Sequence, residues 1–297
     1  MSDRMTMQDP RGQYPRPPFA EQPQAEPGLA RLMEPRPDHG ETSYRGSGRL
    51  TGRKALITGG DSGIGRAAAI AYAREGADVA ISYLPAEARD AEEVIALIGA
   101  EGRRALALPG DITDEAWCKA LVQRTVSDLG GLDILVINAG HQQYHNAVSE
   151  VSSEDFDRTM KTNLYALHWI TKAATPHLPP GAAIITTASV QAYDPSAILL
   201  DYATTKAGIV AYTKALSKQL IERGVRANVV APGPFWTALQ PSGGQPQDKV
   251  KTFGEQSAFG RPGQPVEIAP VYVLLASQEA SYITGEVYGV TGSAGVA

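Results

Sequence analysis

Short apolar runs alternate with helix-length segments from Lys54 to the C-terminus. Seven of these runs are apolar on both faces, as expected for strands that are covered on two sides. They span residues 54–59, 77–84, 104–110, 132–140, 182–189, 226–233 and 286–292. The segments between them, such as IGRAAAIAYAREG, have the length of helices and end in stop signals such as Gly76. This alternation predicts one α/β domain, a doubly wound parallel sheet of about seven strands with helices on both faces.

The first 50 residues follow a different pattern, in which apolar residues have no period. Prolines recur there, at Pro10, Pro15, Pro17, Pro18, Pro23, Pro27, Pro35 and Pro37. Alone, such a segment buries too little surface to offset its ordering entropy. We therefore expect residues 1–50 to form either a loose, disordered tail or an extended arm along a neighbouring subunit, with residues 37–41 and 43–48 as contact points. Residues 51–297 then form the single folded domain.

The composition mainly excludes certain partners and structural features. The 297 residues are 43% hydrophobic, enough for a full core, and the net charge of −5 gives no reason to expect a nucleic acid or an anionic membrane as a partner. The single cysteine, Cys118, excludes an internal disulfide. No stretch is apolar enough to span a bilayer or to serve as a secretory signal. We expect a cytoplasmic protein without a metal site.

A glycine-rich turn, TGGDSGIG, runs from Thr58 to Gly65, directly after the first predicted strand and before a predicted helix. Gly59 allows a sharp turn, Gly63 lets the backbone approach a pyrophosphate, and Gly65 lets the helix pack close to the sheet. The first helical amides then point at the phosphates. A purely structural turn is the alternative, but the strand–turn–helix context favours a dinucleotide site.

Tyr202 and Lys206 in YATTK share one face of a predicted helix. An ammonium near a phenol favours the phenolate, so we expect the pKa of Tyr202 to fall below its ordinary value near 10. A half-buried ring beside a solvated amine is the alternative. Ser189 ends the fifth predicted strand and could hold a substrate oxygen, or only a local hydrogen bond. Asn163 falls within a predicted helix, where a buried amide needs partners.

Together these motifs resemble the short-chain dehydrogenase/reductase family over about residue 50 to the C-terminus. The resemblance implies a Rossmann-type fold and a catalytic tetrad of Asn163, Ser189, Tyr202 and Lys206. It implies that a hydride passes between a nicotinamide and a carbonyl carbon while Ser189 and Tyr202 hold the oxygen. Tyr202 would donate the proton, Lys206 would tune the phenol and grip the ribose, and Asn163 would relay protons through water.

The same resemblance implies the cofactor contacts. They are Gly59, Asp61, Ser62, Gly63, Ile64, Gly65, Tyr83, Leu84, Asp111, Ile112, Asn138, Ala139, Gly140, Tyr202, Lys206, Pro232, Gly233 and Thr237. An acidic residue that selects NAD normally ends the second strand, and Tyr83 stands there instead. We therefore predict NADP, with NAD as the alternative, although Ser62 and Leu84 stand where NADP-preferring relatives often carry a basic residue. Arg89 is either a phosphate partner or a solvated helix charge.

Residues 235–263 hold glycines and prolines with few periodic apolar positions, which predicts a mobile substrate lid or a plain surface loop. Candidate pocket residues are His141, Gln142, Gln191, Tyr193 and Trp236. The chain also resembles bacterial aldehyde reductases and glucose/ribitol-dehydrogenase-like stress proteins of this family. That resemblance implies a small aldehyde, ketone or sugar as substrate, and a homodimer or homotetramer. A 3-oxoacyl or steroid reductase, or a non-catalytic dinucleotide-binding sensor or scaffold, stays open.

Overall fold

A single parallel sheet forms the centre of the computed structural model, which describes residues 4–296. Its strands are Lys54–Thr58 (β1), Asp78–Tyr83 (β2), Ala105–Pro109 (β3), Ile134–Ile137 (β4), Ala183–Thr187 (β5), Arg226–Pro232 (β6) and Val287–Val290 (β7). All neighbours pair in parallel, in the order β3-β2-β1-β4-β5-β6-β7. The predicted α/β doubly wound sheet is confirmed, and each predicted strand is present.

Helices cover both faces of the sheet. They are Gly63–Arg74 (α1), Ala88–Ala100 (α2), Glu115–Leu129 (α3), Ser153–Met160 (α4), Ala166–Ala174 (α5), Leu200–Leu220 (α6), Gln247–Lys251 (α7) and Pro265–Ala276 (α8). Helices α1, α2 and α8 pack into the apolar core on one face, and α3, α5 and α6 into that on the other. Because strands such as β1, β4 and β5 lie between these two cores, their side chains are apolar on both faces.

The chain order of the sheet reverses between β1 and β4, and loops diverge there at the carboxyl ends of the strands. Such a reversal opens a crevice that binds ligands in doubly wound folds. Asn138 ties the two strand ends together. Its backbone N–H donates to Thr58 Oγ1 at 3.0 Å, and its side-chain amide donates to the carbonyl oxygen of Gly59 at 3.3 Å.

The N-terminal segment, residues 4–50, lies against its own domain. Val266 donates a backbone hydrogen bond to Asp38 at 3.0 Å, and the Tyr44 hydroxyl donates to Glu75 Oε1 at 2.6 Å. A loose tail, one of the two alternatives for this segment, does not describe this arrangement. Residues 37–41 and 43–48 contact the same chain, whose domain supplies polar partners for this aperiodic segment.

None of the helices between residues 4 and 296 is both long enough and apolar enough to cross a membrane.

Candidate active site

A cavity of about 370 Å³ opens at the carboxyl ends of the strands. Its volume lies in the range of small-molecule and cofactor sites. Every predicted cofactor residue except Gly65 lines it, and so do Ser189, Tyr202 and Lys206. No cluster of three or more potential metal ligands occurs in the described part of the chain. The sequence motifs therefore converge on one cavity.

The glycine turn presents backbone rather than side chains to this cavity. Gly63 has a positive φ of 51°, and Ser62, which precedes α1, makes no side-chain capping hydrogen bond. The first amides of α1 are thus open to an anion. Gly65 lies behind them, where an added Cβ would stand 1.9 Å from the carbonyl oxygen of Gly59. The residues present fit a dinucleotide pyrophosphate.

At the end of β2 the cavity is lined by carboxyls. Glu87 Oε2 accepts from the Leu84 backbone N–H at 2.7 Å, and Asp61 is buried with Oδ2 lacking a partner among residues 4–296. Burial raises the pKa of Asp61 to about 7, and burial together with the charge of Asp61 raises the pKa of Glu87 to about 8. Arg89 is exposed and lies outside the cavity lining, so it is not placed to bind a cofactor phosphate.

Tyr202, Lys206 and Ser189 form a compact group. The Lys206 ammonium lies 5.2 Å from the centre of the Tyr202 ring and donates to the carbonyl oxygen of Thr187 at 2.9 Å. The Ser189 hydroxyl is hydrogen-bonded to Tyr202 and accepts from the backbone N–H of Gln191 at 3.2 Å. Helix α6 supplies the phenol and the amine, and the end of β5 supplies the serine. A substrate oxygen placed between Ser189 and Tyr202 would contact both hydroxyls.

The pKa of Tyr202 differs from the sequence expectation. Burial raises it to about 12, and the hydrogen bond with Ser189 offsets only part of that effect. The predicted lowering is therefore wrong for this structure, in which the ammonium of Lys206 is bonded to a backbone carbonyl. Burial also lowers the pKa of Lys206 to about 8. At neutral pH the site holds a protonated phenol beside an amine that is still mostly charged.

Asn163 lies one layer behind the cavity, in a π-helical segment, Lys161–Tyr165, between α4 and α5. Its Oδ1 accepts from the His141 backbone N–H at 2.8 Å, and its Nδ2 donates to the His141 carbonyl oxygen at 3.0 Å and to Thr205 Oγ1 at 2.9 Å. A π-helical turn often marks a functional position in a helix. Here the buried amide fixes the backbone of His141, and its part in a proton relay stays a prediction.

The predicted pocket residues divide into two groups. His141, Gln142 and Gln191 line the cavity, whereas Tyr193 and Trp236 do not. Trp236 is fully buried, and its Nε1 donates to the carbonyl oxygen of Pro35 at 2.8 Å. The expectation for Trp236 is wrong because the N-terminal segment covers its ring.

The N-terminal segment brings to the cavity residues that no pattern in the sequence predicts. Glu26 and Pro27 are part of the lining, and Arg158 of α4 lies opposite them. Glu26 Oε2 and Arg158 Nη2 form an ion pair of 2.9 Å. No periodicity or motif around Glu26 signals this position, because the contact joins residues more than 130 positions apart.

Comparison with known proteins agrees with this geometry. A family model described as enoyl-(acyl carrier protein) reductase matches residues 59–293. The chain belongs to the short-chain dehydrogenase/reductase family. It is 57% identical to the uncharacterized oxidoreductase YghA of Escherichia coli, over 96% of this chain and 97% of that protein. It is 40% identical to the chloroplastic NADPH-dependent aldehyde reductase 1 of Arabidopsis thaliana, over 91% of this chain and 96% of that protein.

Among solved structures, a short-chain dehydrogenase from Burkholderia cenocepacia in complex with NADP is similar, with a TM-score of 0.78 and 34% identity. The match covers 83% of this chain and 99% of that chain. This protein is therefore an oxidoreductase of the short-chain dehydrogenase/reductase family, in agreement with its fold and its cavity.

Proposed function

We propose that this protein interconverts a small aldehyde, ketone or sugar carbonyl and the corresponding alcohol, with NADP(H) as the hydride carrier. The proposal rests on one observation, which is that Ser189, Tyr202 and Lys206 line the same cavity as the glycine turn. The similarity to an NADPH-dependent aldehyde reductase supports this substrate class, and the similar structure in complex with NADP supports the cofactor. When bound, the nicotinamide supplies or accepts the hydride.

The residues of this chain supply orientation and the proton. Ser189 and Tyr202 hold the carbonyl oxygen, and the phenol of Tyr202 donates its proton as that oxygen becomes a hydroxyl. The raised pKa of Tyr202 keeps the phenol protonated before the reaction. General acid catalysis of this kind accelerates a reaction roughly 10²–10⁴-fold. Lys206 places a positive charge beside the phenol and stabilises the phenolate left after proton transfer.

The expected assembly is a homodimer or homotetramer in the cytoplasm. Apolar side chains that remain exposed along the α4–α5 region and at the two ends of α6 support an interface there. They are Phe156, Tyr165, Leu200 and Ile221.

Replacement of Tyr202 by phenylalanine tests the proposal. We expect Tyr202→Phe to lower the rate of NADPH oxidation with an aldehyde panel at least about 100-fold, because only the proton donor is lost. The affinity for NADPH, measured by fluorescence titration, should change little because the ring and its packing are kept. The matched control is Tyr212→Phe on the same helix, whose ring does not line the cavity.

Two outcomes would contradict the proposal. Activity of Tyr202→Phe above a tenth of the parent would show that the phenol is not the acid. A wild-type protein that binds NADPH but turns over no carbonyl compound would favour a dinucleotide-binding sensor or scaffold instead.

A further inference from the structure

The N-terminal segment is seated on residues 235–263 by specific contacts. The Phe19 ring stacks on Trp236 with centroids 4.2 Å apart, and the Phe19 backbone N–H donates to Lys251 at 2.9 Å. Further along, the Gln24 backbone N–H donates to Pro241 at 3.1 Å. These contacts fix residues 19–24 directly beside the wall of the cavity.

A turn at Gly28 then brings the chain against that wall. Gly28 has a φ of 75°, and an added Cβ would stand 2.7 Å from the side chain of Ser242 and 2.8 Å from the carbonyl oxygen of Ala238. Both the backbone conformation and the close approach require glycine. Because Glu26 and Pro27 immediately precede this turn, they are held in the lining of the same cavity as Tyr202.

Glu26 faces two basic side chains across the cavity. Its Oε2 pairs with Arg158 at 2.9 Å, and its Oε1 lies 3.8 Å from His141 Nδ1. The backbone of His141 is fixed by Asn163 on both its N–H and its carbonyl oxygen. The ion pair offsets the charge of the carboxylate, so this part of the cavity carries no excess charge that would favour an ionic substrate.

Besides Asp61 Oδ2, two buried polar side-chain atoms of the cavity lining have no hydrogen-bond partner among the described residues. They are His141 Nε2 and Gln240 Oε1, and both residues line the cavity. His141 and Gln240 are each only 8% exposed. Buried polar atoms without partners are costly, so such atoms in a cavity indicate a ligand that supplies the missing hydrogen bonds. A hydroxyl group can donate to the amide oxygen and accept from, or donate to, the imidazole.

We propose that Glu26, supplied by the N-terminal segment, determines substrate specificity by binding a hydroxyl group of the carbonyl substrate together with His141 and Gln240. The inference rests on the proposed function and refines it to uncharged hydroxylated carbonyl compounds. An alkyl aldehyde of the same length would leave these polar atoms without hydrogen-bond partners. A site built for hydrogen bonding discriminates against such an analogue.

The test compares erythrose with butanal as substrates for the full-length protein and its Glu26→Gln variant, with NADPH saturating. We expect kcat/KM of the wild type to be at least about tenfold higher with erythrose, the gain of one good hydrogen bond in a partly desolvated site. Glu26→Gln should raise KM for erythrose by a similar factor, several-fold more than it raises KM for butanal. Loss of a merely structural contact would change both substrates alike.

The matched control is Glu21→Gln, which removes another carboxylate of the same segment, paired with Lys251 at 2.6 Å and outside the cavity lining. It should leave the ratio of the two kcat/KM values unchanged. Gly28→Ala, which displaces the turn, should lower the preference for erythrose as Glu26→Gln does.

A second measurement separates the inference from the proposed function. Calorimetric titration with erythritol and with butan-1-ol, in the presence of NADP, reports binding without turnover. Stronger binding of erythritol that is weakened in Glu26→Gln supports the hydroxyl site even if no carbonyl compound is reduced. Equal ratios of kcat/KM and equal erythritol affinities in the wild type and Glu26→Gln would overturn it, with the reductase activity itself intact.

Discussion

Replacement of Asp61 by asparagine gives a quantitative prediction for the free energy of unfolding. The carboxyl is buried at the glycine turn, and its Oδ2 has no partner among residues 4–296. Burial raises its pKa from 3.8 to about 7, and the negative charge of Asp90 adds to the effect. Asp61→Asn keeps the shape of the side chain and removes its ionisation. We expect this variant to be more stable than the wild type, by an amount that depends on pH.

The sign and size follow from proton linkage. Below about pH 4 the carboxyl of Asp61 is protonated in both the folded and the unfolded state, so the wild type then has its full stability. Above that pH the unfolded state releases a proton that the folded state keeps, and this stability decreases. It is lost as the pH rises through about 7. A difference of about three pKa units corresponds to about 4 kcal/mol of unfolding free energy. The advantage of Asp61→Asn should therefore be about 1–2 kcal/mol at pH 5, grow to about 4 kcal/mol near pH 7 and then level off.

Urea unfolding of the cofactor-free protein at pH 5, 6, 7 and 8, at one fixed protein concentration, measures this difference. Asp128→Asn, at an exposed carboxyl on α3, is the control and should give no pH-dependent gain. A stability gain for Asp61→Asn that is constant over this pH range, or absent at pH 8, would refute the assignment of the raised pKa to Asp61.

Two further predictions concern Phe19, on the N-terminal segment, and Glu87, at the end of β2. Phe19→Ala removes a buried ring stacked on Trp236, a change that costs up to about 3–5 kcal/mol in a core. Because the ring lies on a terminal segment, we expect amide hydrogen exchange, measured by mass spectrometry, to become faster only in residues 19–35. Faster exchange over the whole sheet would contradict this prediction. Glu87→Gln removes a carboxyl at the end of β2 and should tighten NADPH binding relative to NADH above pH 8, where Glu87 is ionised. Fluorescence titration measures both affinities, and an unchanged ratio would contradict it.

The sheet was predictable because a strand that is buried on both faces needs a continuous run of apolar residues. The side chains of β1 and β5 lie between the two apolar cores, so each strand is a short apolar run ended by glycine or by small polar residues. The structure shortens several predicted strands by one to three residues at each end, as for β4, Ile134–Ile137, against 132–140. At the carboxyl ends, most of the extra residues belong to loops that line the cavity. The motif residues were predictable for the same reason, since spacing fixes them to strand ends and to one helix face.

The N-terminal segment could not be predicted in this way. Its docking depends on single contacts such as Phe19 with Trp236 and Pro35 with the Trp236 indole, which join positions more than 200 residues apart. Extended chain without a hydrophobic period carries no signal of its partner. For this reason the sequence wrongly predicts Trp236 in the pocket and gives no indication of Glu26.

The sequence mispredicts the ionisation of Tyr202 for a different reason. The i, i+4 spacing correctly predicts that Lys206 is near the phenol, but it does not give the degree of burial or the partner of the ammonium. Burial opposes charge on both groups, which raises the pKa of Tyr202 to about 12 and lowers that of Lys206 to about 8. A protonated phenol is the form that reduction requires, because the alkoxide must take a proton, whereas oxidation requires the phenolate. The chain without a bound cofactor thus holds Tyr202 as the neutral phenol, the form that can donate a proton in carbonyl reduction.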